Sequence, residues 1–333
     1  MHKMIRHGLA ALAFACLALP AAAQCTGASF MERLTAQERA EVAAAAADTP
    51  FAGGLVWTAV RDTRTITVIG TMHIYDARLA PVHARIAPLV KDADLVLVEA
   101  TQDDEAALQA ALMDDPSLMF LTEGPTLPEM LDDETWAALM DAVRARQIPV
   151  MLAAKMQPWY LSLTLSMPPC AMADLIGGRR GLDQMIMDDA AAAGVPVAAL
   201  EPWMTMFTLM REGTLDEQLD MLRLSLLAPD VQSELFVAML DSYFAGEIAL
   251  VWEVSRIAGR YVPDLDATAA EQMFAEVEDK LLVSRNHDWM PVILKAAEAH
   301  DTVVVAAGAA HLPGKDGVLN LLAQAGWDVQ PAD

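Results

Sequence analysis

The chain has 333 residues, of which 55% are apolar, 20% charged and 6% aromatic, a composition that excludes disorder and collagen-like or low-complexity architecture. Its 46 acidic against 22 basic residues give a formal charge of −24, which repels a polyphosphate backbone and excludes nucleic acid as a partner. A chain of this length buries a sizeable core without disulfide or metal staples.

Residues 1–23 read as a cleavable signal peptide. Lys3 and Arg6 supply a positive start, residues 8–19 a 12-residue apolar stretch, and Ala21-Ala22-Ala23 a small-residue cleavage site before Gln24. No later run reaches 18 uninterrupted apolar residues, so no transmembrane span is expected. The mature chain is then an exported protein, periplasmic or secreted, with 46 acids against 20 bases and a charge of −26. Gln24 disfavours the lesser alternative, lipidation of Cys25, because that cut needs a small residue before the cysteine. Cys25 and Cys170 are the thiols left after cleavage, and an oxidising compartment predicts a disulfide between them, against the alternative of two buried free thiols.

Residues 24–333 read as a single domain. Residues 30–47 have an Ala/Glu-rich helical pattern, broken by Thr49-Pro50 and Gly53-Gly54. Two β-branched runs, 55–60 and 65–69, flank the polar 61–64 and predict a hairpin. Residues 84–90 read as a helix, and 94–99 as a strand buried on both faces that ends at Glu99. Helices are expected over 105–113 and 132–146, the latter with acids first and Arg144 and Arg146 last, as the helix dipole favours. A strand over 148–153 follows, then a helix over 182–193 stopped by Gly194, and a strand over 195–200 that ends at Glu201. Residues 203–280 are helical almost throughout, and their methionines read as core filler. The chain closes with a strand over 302–307, a glycine-containing turn, a helix over 318–325 and a strand near 327–329. This order predicts an α/β fold: a central mixed, largely parallel sheet flanked by helices, with a helical insertion between two related halves.

Each half contains strand, Gly-x-x-His, loop, helix and strand, and the two histidines lie 238 residues apart. In open α/β sheets ligands sit beyond the carboxyl ends of the strands. His73, His311, Glu99 and Glu201 all fall at such ends, whereas His83, His287 and His300 do not. Gly70 and Gly308, three residues before each histidine, let the chain leave the strand with no side chain in the way. Two histidines and a carboxylate form a three-ligand set for a catalytic divalent metal with an open position, which gives His73, Glu99 and His311 as metal ligands. Glu201 is the candidate general base. Arg285-Asn286 offers a carbonyl-recognising fork and an oxyanion or water ligand, against the alternative of a surface arginine beside a helix-capping asparagine.

The segments Gly70-Thr71-Met72-His73, Leu97-Val98-Glu99, Arg285-Asn286 and Gly308-Ala309-Ala310-His311-Leu312-Pro313-Gly314 together resemble the TraB/GumN family, which includes the TIKI metalloproteases. The resemblance spans about residues 55–329. It implies an α/β fold akin to the haem-binding ChaN and erythromycin-esterase group, with both histidines facing one cleft. It also implies Mn²⁺- or Co²⁺-dependent peptide hydrolysis by His73, Glu99 and His311, with Arg285 and Asn286 on the accompanying motif; Zn²⁺ also suits these donors. Two function classes follow: an exported metal-dependent hydrolase of the peptidase kind acting on a peptide or small molecule, or a non-catalytic envelope protein that binds haem, a metal or a peptide signal in the same cleft.

Overall fold

Apolar strands buried on both faces organise the molecule. The computed structural model describes residues 25–262 and 265–332, so the signal-peptide reading of 1–23 lies outside the described residues. Six strands form one sheet: β1 (Val56–Arg61), β2 (Arg64–Thr71), β3 (Leu95–Val98), β4 (Val197–Ala199), β5 (Thr302–Gly308) and β6 (Asp328–Pro331). Their order is β4-β3-β5-β2-β1-β6. Only β1 pairs antiparallel with its neighbours, so the other five strands run in one direction. This is the expected mixed, largely parallel sheet.

Alternation along the strands feeds two cores. Ile69, Val96, Val98, Val304 and Ala306 pack on one face against helices Leu79–Lys91, Leu182–Ala193 and Pro229–Ala245. Ile66, Val68, Leu97, Val303 and Val305 pack on the other against Ser284–Ala299 and Val318–Gln324. Two-sided burial is why these strands carry so few polar residues. Satellite helical cores lie around Leu139 and Leu161, and around Phe30 and Val254.

Two local expectations differ from the structure. Residues 30–47 form two helices, Phe30–Arg33 and Ala36–Asp48, because Thr35 starts the second in a capping box with Glu38 while Leu34 is extended. The run 148–153 is no strand: Val150–Ala153 is a single helical turn entered from Pro149. Its Met151 and Leu152 are 81% and 46% exposed, so this apolar run is not buried as a sheet-core strand would be. The helix Leu182–Ala193 does end at Gly194, which takes the left-handed φ of 73°.

A Cys25–Cys170 disulfide ties the start of the described chain to the helix Pro169–Ile176. Among the described residues no helix is long and apolar enough to cross a membrane.

The related halves diverge at the sheet's centre. From β2 the chain passes over β5 to reach β3, and from β5 it passes the other way, beyond β2 and β1, to reach β6. The connections therefore part between β2 and β5, where Thr71 pairs with Gly308. That is where such sheets open a crevice.

Candidate functional site

Glu201, Glu99, His311 and His73 follow the carboxyl ends of β4, β3, β5 and β2, four adjacent parallel strands, in that spatial order. Sheet register thus brings together residues far apart in sequence. The Glu99 carboxylate stands between the histidines, with Oε1 3.8 Å from His73 Nε2 and Oε2 4.0 Å from His311 Nε2. The Gly308 N–H donates to Glu99 Oε1 at 2.6 Å, fixing the carboxylate to the end of β5.

Arg285 and Asn286 sit in the first turn of Ser284–Ala299, only 5% and 2% exposed. They are neither a surface arginine nor a helix cap. Arg285 Nη2 donates to Glu99 Oε2 at 2.6 Å and to Glu201 Oε1 at 2.7 Å, and its Nη1 lies 3.2 Å from His311 Nε2. Both Glu201 oxygens are engaged, by Arg285 and by the Trp289 indole N–H at 2.9 Å. Glu201 therefore holds Arg285, and the cavity wall does not include it. The preceding π-turn, Asp279–Val283, contributes the Leu281 carbonyl, which accepts from Arg285 Nη1 at 3.0 Å.

The two histidines are held differently. Asn286 Nδ2 donates to the carbonyls of His311 and Asp316, which turns its Oδ1 toward His311 Nδ1 at 2.7 Å. His311 is thereby fixed as the Nδ1–H tautomer, with the Nε2 lone pair facing Glu99 and Arg285. Trp289 lies against its ring with centroids 4.3 Å apart. His73 has Asp183 Oδ1 3.1 Å from its Nδ1, and its side chain is 61% exposed.

Electrostatics follow from these partners. Burial pushes His311 down to about 3, with Arg285 and His73 adding to the shift against the pull of Glu99, so it is neutral. Desolvation also lowers His73, but Asp183 and then Glu99 outweigh it and raise the group to about 9. Burial disfavours the Glu99 carboxylate, yet the cationic surroundings and the Gly308 N–H bring it down to about 2.

A cavity of about 370 Å³ opens over this cluster. Its wall is largely apolar, with Met206, Met239, Ile248, Val251, Trp252 and Leu281 supplied by the helical stretch after β4. That stretch roofs the strand ends, and two of its methionines, Met206 and Met239, line the site rather than merely filling core. Tyr243, also in the wall, donates its hydroxyl to the Gly70 carbonyl at 3.0 Å.

The two motif glycines serve different ends. A Cβ on Gly70 would lie 3.1 Å from both Ala309 and Leu312 side-chain atoms, so it admits the turn that carries His311. A Cβ on Gly308 would lie 3.2 Å from Glu99 Oε1 and 3.5 Å from His73 Nε2, so its absence leaves the space between that carboxylate and that imidazole open. Gly314, at φ 103°, closes the loop after His311 and donates its N–H to the Pro50 carbonyl.

As arranged, no group of three or more His, Cys, Asp or Glu side chains among the described residues could hold a metal ion. Ligands sharing one ion at bonds of roughly 2 Å stand about 3–3.4 Å apart; the 3.8 Å and 4.0 Å separations exceed this by about half an ångström. The chemistry of the donors nonetheless fits a divalent cation. His311 Nδ1 is bonded to Asn286 Oδ1 and His73 Nδ1 stands beside an Asp183 oxygen, the outer support usual for metal-binding histidines. Here the Arg285 guanidinium supplies the positive charge between Glu99 and His311.

Asp183 is the site residue that strand-end reasoning missed. Its signal was a Gly-Leu-Asp opening a helix, which places an acid in the first turn. Trp289, which donates to Glu201 and lies against the His311 ring, is likewise not marked by any strand end. Residues 55–331 match the family model described as TraB/PrgY/gumN family. None of the curated proteins matches the chain.

Proposed function

The chain belongs to the TraB/PrgY/gumN family, and from that premise we propose that it is an exported metal-dependent hydrolase, a peptidase that accepts an apolar side chain beside the scissile bond. One observation supports this most: two neutral-capable imidazoles on adjacent parallel strands face a single carboxylate within 4.0 Å. His73, Glu99 and His311 would hold the divalent ion, with Mn²⁺ or Co²⁺ favoured by the resemblance and Zn²⁺ suited to the donors. When bound, that ion supplies a Lewis acid for the carbonyl and an acidified water.

The chain's own groups do the remaining work. Asn286 keeps the His311 lone pair pointed inward, while Glu201 and Trp289 hold Arg285 beside Glu99. Arg285 presents a fixed positive charge to a carbonyl oxygen as it gains charge. Met206, Met239, Val251 and Trp252 bind the apolar side chain and exclude water.

The test uses chelator-treated protein assayed on peptides with varied side chains, with and without Mn²⁺, Co²⁺ or Zn²⁺. Hydrolysis should require the ion, favour apolar side chains, and fall at least 100-fold in His73→Ala and His311→Ala. Folded, metal-loaded protein without turnover, or with turnover indifferent to both changes, contradicts the proposal. Peptide binding without turnover is the result expected of a non-catalytic envelope protein.

A further inference from the structure

The imidazoles of His73 and His311 face the same carboxylate, but only His311 is tied down by an aligned hydrogen bond. Behind His73 stands Asp183. The chain is built to bring that acid close: a Cβ on Gly181 would lie 2.3 Å from the Met72 carbonyl oxygen and 2.4 Å from the His73 carbonyl carbon, so only glycine lets the helix start abut the exit of β2. The Leu182 N–H then donates to the Met72 carbonyl at 2.8 Å. Asp183 follows in the first turn of Leu182–Ala193, where the helix dipole favours a carboxylate.

Its Oδ1 is buried and makes no aligned hydrogen bond among the described residues. A buried carboxylate oxygen left in that state needs an explanation. His73 Nδ1 lies 3.1 Å away, within hydrogen-bond distance but outside hydrogen-bond alignment. We propose that Asp183 is a positioning residue that holds the proton of His73 on Nδ1 and presents Nε2 to Glu99 and the open space at Gly308. The role matches that of Asn286 behind His311, with a carboxylate in place of an amide. It rests on the site reading given above, which it deepens by adding an outer support to one ligand.

The test reads the tautomer directly. Metal-free protein labelled with ¹⁵N-histidine is recorded along an alkaline pH series until the ring signals stop moving, so that the neutral imidazole is read, and the His73 signal is assigned by its loss in His73→Gln. The wild type and Asp183→Asn, whose amide oxygen can still accept, should show Nδ1–H. Asp183→Ala should shift most of the population to Nε2–H and weaken Mn²⁺ affinity 10- to 100-fold, with Asp183→Asn within about threefold of wild type. A folded Asp183→Ala protein with an unchanged tautomer overturns the proposal. So does a wild-type His73 with its proton on Nε2, whatever the variants do. Because the tautomer is read without metal, a chain that takes up no ion overturns the hydrolase proposal alone and leaves this result to be judged on its own.

Discussion

At Gly308 the absence of one carbon separates stability from function. Its φ of −48° suits any residue, so alanine costs the backbone little. The new Cβ, however, would stand 3.2 Å from Glu99 Oε1 and 3.5 Å from His73 Nε2. Gly308→Ala should therefore keep the melting temperature within about 3 °C of wild type, on the order of 1 kcal/mol for a chain this size, while metal affinity falls at least tenfold. Thermal melts beside an ion titration check this, and equal loss of both would mean the residue is merely structural. His73, Glu99 and His311 were legible because strand-end position follows from a pattern within a few residues. The partners of Glu201 and the role of Asp183 were not, since each depends on which helix the tertiary fold lays against a strand end.

Between secondary elements, the covalent link of Cys25 to Cys170 spans 145 residues. A crosslink over so long a loop restricts the unfolded chain, and removing it typically costs about 2–4 kcal/mol. Cys25→Ser/Cys170→Ser should lower the free energy of unfolding by that amount in equilibrium denaturation, and an unchanged free energy would mean the link adds nothing. The pairing was readable from the cysteine count together with the oxidising compartment that the signal-peptide reading predicts. The strands β2, β3 and β5 were readable because burial on both faces leaves long β-branched runs. Residues 148–153 misled for a related reason: a short apolar run does not reveal whether a sheet is there to receive it, and Pro149 opens a helical turn instead.

Across the whole molecule, an excess of acid is managed by local partners. Arg260 foremost, with Arg256, overcomes desolvation and holds Glu41 down at about 2. Backbone and hydroxyl groups of Thr35, Thr126, Thr135 and Thr214 depress Glu38, Glu129, Asp132 and Glu217. These acids bind protons more weakly folded than unfolded, so their stabilisation is complete above the unfolded values near 4 and disappears as pH falls through the folded ones. Melting temperature should decline from about pH 5 toward pH 2, by a small step for each exposed group, and Glu41→Gln should flatten the Glu41 share of that decline. A profile flat to pH 3 would refute it. The two-half plan was visible in the repeated Gly-x-x-His; the insertion of β1 between β2 and β6 was not, because a hairpin reveals its partner strand but not its outer neighbour. That the two halves meet to hold one divalent ion is checked by elemental analysis of protein purified without chelators. Wild type should carry Mn, Co or Zn in stoichiometric amount and the His73→Ala/His311→Ala variant almost none; metal-free wild type that also fails to take up added ions, or equal metal in both proteins, would contradict it.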